Sequence, residues 1–293
     1  MKEPSRDNHD GDAHSPDCVI IRADRSLLSF GLSDLWRYRD LLFFLVWRDL
    51  KVRYKQTLLG VLWAILQPVL TMLVFTFVFN RLAGIQANGI PYPLFSLAGL
   101  LPWFFFSQGL TQSSNSLVGS SHLITKVFFP RIFMPVAPVL AGCLDLILAM
   151  IVLAGLMTYF GILPGWSFLA LPVVIGILLL STLGVGIWLS AVNVRYRDVR
   201  YVVPFLTQLW MFVSPVIYPA SDVISKFESR GLPIWLYGLN PMVGVVESYR
   251  WAVLGVGSMP GSLLIASAGM SLVLFISGLV YFRSTERDFA DIV

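Results

Sequence analysis

Asp34-Leu35-Trp36-Arg37-Tyr38-Arg39-Asp40 opens a stretch that continues as Trp47-Arg48-Asp49-Leu50-Lys51-Val52-Arg53-Tyr54-Lys55 and then runs uncharged from Leu58 to Phe79. Written as a helix, its first part puts Arg37, Asp40, Arg48, Lys51 and Lys55 on one stripe at multiples of three to four residues, interrupted by Phe44. Leu41, Leu42, Leu45, Val46, Trp47 and Leu50 spread over the rest. The pattern predicts an amphipathic helix over 34–57 that lies on a membrane. Leu58–Phe79 is 22 residues long, and at ~1.5 Å per residue it reaches ~33 Å, matching a hydrocarbon core of ~30 Å. It predicts a first span.

Composition places the rest of the chain in the same environment. Of 293 residues, 56% are hydrophobic and only 13% charged, where soluble domains carry about 25% charged residues. The sequence pI of about 9.1 would suit nucleic acid in a soluble protein. Here, however, 10 of the 21 Lys and Arg precede Leu58, where a juxtamembrane position attracts anionic lipid or an anionic ligand instead. Nucleic acid is therefore not an expected partner. Residues 1–33 form a polar cytoplasmic tail expected to be disordered. Its first 26 residues have no apolar core, so the first span is expected to act as its own insertion signal. Cys18 and Cys143 are too far apart in such a layout to suggest a disulfide or a metal site.

Further apolar runs, uncharged except for Asp145 in the second of them, follow at Leu94–Val118, Phe133–Phe160, Trp166–Val192, Tyr201–Ile217 and Leu263–Phe282. The second half of Leu94–Val118 carries Ser107, Gln108, Thr111, Gln112, Ser113, Ser114 and Asn115, a composition suited to a face turned to protein or water. Between the last two runs, Ile234–Gly255 is apolar, but Asn240-Pro241 interrupts it and Glu247 and Arg250 lie in its second piece. Met242–Leu254 would reach only ~20 Å. Two short re-entrant helices are expected there, within a gate region 219–262 of a transmembrane domain spanning 58–293. With six spans and both termini cytoplasmic, 17 of the 21 basic residues fall on the cytoplasmic side, and a seventh span would weaken that bias. The expected class is an all-α integral membrane protein.

Catalytic chemistry is sparse. Two of the three histidines lie in the tail, and the acids between Lys51 and the carboxyl end are Asp145, Asp198, Asp222, Glu228 and Glu247. No helix carries paired carboxylates or a metal-ligand spacing. The sequence also has no Gly-x-x-x-x-Gly-Lys-Ser/Thr phosphate loop. If the chain pumps, another subunit must power it.

The string Trp47 to Pro68 resembles the opening signature of the membrane subunits of bacterial ABC exporters for lipid-linked polysaccharide, the permease family serving O-antigen, capsule and teichoic acid export. Further matches to that family are Leu101-Pro102-Trp103-Phe104-Phe105-Phe106, Lys126-Val127-Phe128-Phe129-Pro130-Arg131, Asn193 to Val199, Ser214-Pro215-Val216-Ile217-Tyr218, Asn240-Pro241 with Tyr249-Arg250, and Glu286 to Asp291. They cover roughly Leu35 to Val293, and the tail before Ser33 departs from the pattern. The resemblance implies a multi-pass permease of the bacterial inner membrane, working as a homodimer over two copies of a separate nucleotide-binding ATPase. That partner would bind ATP and magnesium, so no cofactor is expected in this chain. The expected cargo is O-antigen on a polyprenyl pyrophosphate carrier, crossing at the dimer seam. Capsule, teichoic acid, a drug or a small lipid are alternatives.

The residues take roles on that reading. Arg37, Arg39, Arg48, Lys51 and Arg53 are candidates to receive a lipid pyrophosphate, because Arg and Lys pair well with phosphate oxygens; plain anchoring to anionic membrane lipids would use the same residues. Lys55, Lys126, Pro130 and Arg131 match the ATPase-coupling segments, against the alternative of an ordinary topology-setting turn. Phe75, Phe79, Trp210 and Tyr218 are candidate channel aromatics on which sugar rings could slide, the bland alternative being an interfacial belt or lipid-facing packing. Glu247, Tyr249 and Arg250 are assigned to an external gate, or to a local i,i+3 pair. Asp145, the lone acid within a span, is either a hydrogen-bonded carboxyl at a close helix contact or the proton site of a secondary transporter.

Overall fold

In the computed structural model one helix, Tyr92–Gly119, is surrounded by most of the others, with 18 of its 28 residues buried. The structure describes residues 36–55, 60, 62–87, 89–126, 129–257, 259–286 and 289. The expected disordered tail 1–33 lies outside them, as do 56–59 between the first helix and the first span. Among the described residues all regular structure is helical. In chain order these are α1 (Arg39–Lys55), α2 (Leu62–Phe75), α3 (Tyr92–Gly119), α4 (Ser121–Lys126), α5 (Phe133–Tyr159), α6 (Leu171–Arg195), α7 (Val199–Val213), α8 (Ala220–Ser229), α9 (Pro241–Leu254) and α10 (Gly261–Thr285). Short 3₁₀ turns at Trp166–Ala170 and Ile234–Leu239 precede α6 and α9.

Among the described residues, five stretches are long and apolar enough to cross a membrane: Leu62–Leu82, Tyr92–Gly119, Phe133–Tyr159, Trp166–Arg195 and Gly261–Thr285. The first is not a uniform α-helix, since Thr76–Leu82 widens into a π-helical turn. The run predicted over Tyr201–Ile217 is a shorter helix that ends at Val213. Pro215 explains the stop. The residue before a proline is pushed out of the α region, and Ser214 is extended, at φ −96° and ψ 149°. Gly60 sits between α1 and α2 at φ +47°, a left-handed conformation that glycine adopts without steric penalty.

α3 packs on α2, α5, α6, α7 and α9, and α6 packs closely on α10. The α6–α10 crossing is tight because two glycines meet there. A Cβ on Gly184 would come 2.7 Å from the Phe275 backbone nitrogen, and one on Gly278 would come 2.6 Å from the Gly184 carbonyl oxygen. Small residues allow backbones to approach in lipid, where no hydrophobic force drives helices together. Ser181 and Ser271 then share a 2.6 Å hydrogen bond across the contact. Because such bonds in membrane proteins average about 0.6 kcal/mol, Ser181→Ala is expected to lower stability in detergent by under ~1 kcal/mol, read as a small shift in thermal unfolding. The glycines carry more of this contact than the hydroxyls do.

α1 is not clad on one side only. Leu45 is buried and Tyr38, Leu41, Leu42 and Val46 are half-buried in a cluster that includes Phe133, Met134 and Ala137 of α5. Phe43, Phe44 and Trp47 are exposed. One apolar face thus meets the bundle and another is left for lipid, with the cations between them. The polar half of α3 is turned inward as its composition suggests: Ser113 and Ser114 are buried, and Ser113 Oγ donates to the Pro135 carbonyl at 2.9 Å.

Candidate functional site

Two polar centres interrupt the apolar bundle. The first is built where α7 gives way to the turn 214–218 and α9 returns. Arg250, 4% exposed, is placed by α9, which buries 12 of its 14 residues. Its Nη1 donates to Glu247 Oε1 at 3.0 Å, its Nη2 to the Val216 carbonyl at 2.6 Å, and its Nε to the Phe95 carbonyl at 3.2 Å. The guanidinium also lies 3.7 Å from the centroid of the Phe95 ring. Room for it comes from Gly99, where a Cβ would collide with the guanidinium. Glu247 Oε1 additionally accepts the Ala220 backbone N–H at 3.0 Å, so the pair also anchors the start of α8. A guanidinium presents five donors in a fixed fork, which lets one side chain hold three elements at once.

Asn240 completes this centre. Its Oδ1 caps α9 by accepting from the Met242 N–H at 3.1 Å and also accepts from Trp210 Nε1 at 2.9 Å, while its Nδ2 donates to Ser214 Oγ at 3.0 Å. Tyr92 Oη donates to the Ile217 carbonyl at 2.9 Å. The turn after Pro215 therefore takes its backbone partners from side chains of α3 and α9. Buried backbone without such partners would cost heavily in a membrane. Tyr249, also assigned to the gate, is fully buried, and its hydroxyl is without a partner among the described residues.

The second centre lies at the end of α1. Arg53 pairs through Nη1 with Asp145 Oδ2 of α5 and donates through Nη2 to Gln112 Oε1 of α3. Asp145 is thus ion-paired with a cation 92 positions away in sequence. The pair borders a cavity of about 310 Å³ between α1, α2, α3 and α5. Trp63, Gln67, Phe104 and Gln108 also line it.

Of the remaining cations, Arg37 just before α1 and Arg39, Lys51 and Lys55 on it are exposed to solvent or lipid headgroups. Arg39 is 3.7 Å from Asp40, and Arg48 is already paired with Asp49 at 2.8 Å. The five residues expected to receive a pyrophosphate are therefore not equivalent. Three of them have carboxylate neighbours, and the Arg53 partner is the half-buried Asp145.

The aromatics separate in a similar way. Phe75 and Phe79 stack edge-on at 5.2 Å between centroids, both half-buried. Both pack with Ala87, Tyr92 and Phe95 at the start of α3. Phe77, on the same stretch, is 57% exposed. Trp210 is half-buried with its ring edge-on to Phe106 at 5.1 Å, and Tyr218 Oη lies 3.4 Å from Tyr237 Oη.

Residues 40–254 match the model of the ABC-2 type transporter family. The chain belongs to that family. An O-antigen export system permease protein RfbA from Myxococcus xanthus is 35% identical over 260 residues, covering 88% of this chain and 97% of the relative. RfbA of Klebsiella pneumoniae is 29% identical, with 87% and 95% covered. The polysialic acid transport protein KpsM of Escherichia coli is 29% identical, with 82% and 91% covered. With its apolar helices, this ABC-2 transporter chain is a multi-pass integral membrane protein of the bacterial inner membrane.

All the candidate site residues except Arg37 and Arg39 fall inside the matched part of this ABC-2 permease. Lys126 ends the six-residue α4 and is exposed. Val127 and Phe128 are outside the described residues. Arg131 is half-buried and its Nη1 donates to the Glu286 backbone carbonyl, tying the loop before α5 to the end of α10. Burial pushes the Glu286 carboxyl above the ordinary range, against the opposing pull of Arg131 and Arg283. Sequence reasoning missed the roles of Gln112, Gly99, Asn240 as a cap, and Asn193. Asn193 Nδ2 donates to the Ser114 carbonyl at 2.8 Å, linking α6 to α3. The partners of Gln112, Gly99 and Asn193 are distant in the chain, whereas the Asn240 cap is local and the Asn-Pro pair at 240–241 signals it.

Proposed function

We propose that this chain is the membrane subunit of an ATP-driven exporter of a lipid-linked polysaccharide, with O-antigen on a polyprenyl pyrophosphate carrier the cargo. The observation that carries the reading is similarity to polysaccharide-export permeases over nearly their whole length. A sequence without any phosphate loop supports a separate ATPase. In this reading two copies of the chain face each other across a seam, with two ATPases below, six spans per copy and both termini in the cytoplasm.

The packing supports a seam at α2 and α7. Both lean on α3, yet only Pro68 and Met72 of α2 are buried, and α7 exposes Tyr201, Val202, Phe205, Leu206, Leu209 and Phe212. In the proposed cycle, ATP-driven closure of the two ATPases pushes on the α1 and Lys126–Arg131 segments. The bundles part at the seam, and the re-entrant 234–254 segment, whose Arg250 braces the 214–218 turn, acts as the outer gate.

Reconstitution tests this. Proteoliposomes holding the chain and its ATPase are expected to move labelled lipid-linked polysaccharide only with ATP, and cells lacking the chain to lose surface polysaccharide. Transport by the chain alone would overturn the mechanism.

A further inference from the structure

We propose that the cavity beside Arg53 is a binding site for an uncharged sugar ring, distinct from any site for the carrier's phosphates. The inference rests on the polysaccharide-export reading and adds a place within one copy of the chain where a sugar is held. The argument starts from charge. Arg53 stands in an ion pair with Asp145 and a second bond to Gln112, so the two charges on the wall cancel. Neither a phosphate nor an ammonium headgroup gains a net attraction there, and either would have to break the pair to be held.

What the wall still offers is hydrogen bonding. The side-chain amides of Gln67 and Gln108 supply it, whereas Asp145 Oδ1 and Tyr54 Oη are closed off from the cavity and are not offered to a ligand. Gln108 and Gln67 face each other at 3.4 Å, a weak bond that leaves both amides free to turn to a ligand. Hydroxyl groups, each donor and acceptor, fit such a set.

The remaining surface is flat and apolar. Trp63 and Phe104 line the cavity and are incompletely buried, and aromatic faces of this kind cover the C–H face of a pyranose while its hydroxyls reach the amides. At about 310 Å³ the cavity is near the lower end of the range for small-ligand sites, ~300–1,000 Å³, which suits one ring and not a polymer. A single ring held beside the start of α2 would present the following sugars toward the exposed side of that helix.

The test uses the full chain in cells that make the polysaccharide. A photo-crosslinking amino acid replaces Gln108 in the cavity wall or, as control, Val273 on the exposed face of α10. The expected result is a glycan-staining adduct at 108 and none at 273. Gln67→Leu, which removes the amide facing Gln108 with little change in side-chain volume, is expected to lower that adduct by ~5-fold at unchanged protein level, the equivalent of one lost hydrogen bond. A glycan-free adduct at 108, equal staining at both positions, no adduct, or no response to Gln67→Leu would each overturn the site. Surface polysaccharide that persists without the chain would instead sink the export reading, whatever the adduct.

Discussion

Arg250→Met is expected to destabilise the permease by about 3–5 kcal/mol, the usual cost of removing one partner from a buried ion pair. The substitution leaves Glu247 with a single donor, the Ala220 N–H. It also strips the donors from the Phe95 and Val216 carbonyls in a region where lipid supplies no replacement. Arg250→Lys is expected to rescue little, because one ammonium on a flexible stem cannot reproduce a fork that reaches three elements. The double variant Glu247→Gln/Arg250→Met should be less damaged than the sum of its parts, as expected for groups in direct contact. Thermal unfolding of the purified chain, followed by size-exclusion chromatography, reads these three variants and Glu247→Gln alone, which completes the cycle. A stable Arg250→Met chain would show that the turn after Pro215 is held by something other than this guanidinium.

The contrast between Arg250 and Arg53 shows what a linear reading could reach. Glu247 and Arg250 are three residues apart on one helix, so their pairing follows from helical spacing alone. The span pattern is equally local, and Leu94–Val118 and Phe133–Phe160 reappear as Tyr92–Gly119 and Phe133–Tyr159. An uncharged run of that length has few alternatives in water or lipid. Where the structure differs, the cause is also local but finer than hydropathy. Pro215 ends α7 four residues before the apolar run ends, and a π-helical turn occupies Thr76–Leu82, which propensity does not announce. Arg53, Gln112 and Asp145 come from three separate helices, and no periodicity links them. Asp145 is visible in the sequence as an isolated charge. Its answering cation is hidden because α1 carries five basic residues from Arg39 to Lys55, any of which has the reach in principle.

Arg53→Met is expected to cost about 3–5 kcal/mol of stability, because Asp145 is left on the wall of a narrow cavity with no cation beside it. Asp145→Leu should be comparably harmful, since it strands the guanidinium. Arg53→Met/Asp145→Leu, which removes both charges, is expected to be milder than either single change, and this non-additivity is the signature of a pair and not of two independent anchors. Asp145→Asn preserves an oxygen for Arg53 and removes only the charge, so its expected cost is about 1–2 kcal/mol, the difference between a charge-assisted and a neutral hydrogen bond. Transport separates this permease from a proton-coupled carrier. If the carboxylate only fastens α1 to α5, the Asn variant keeps ATP-dependent export and loses rate modestly. If Asp145 carried the coupling proton, the same variant would be dead while folding normally, and collapsing the proton gradient would stop export by the unaltered chain. An ion pair built to hold a helix tolerates the loss of a charge far better than a site that must gain and release a proton on every cycle.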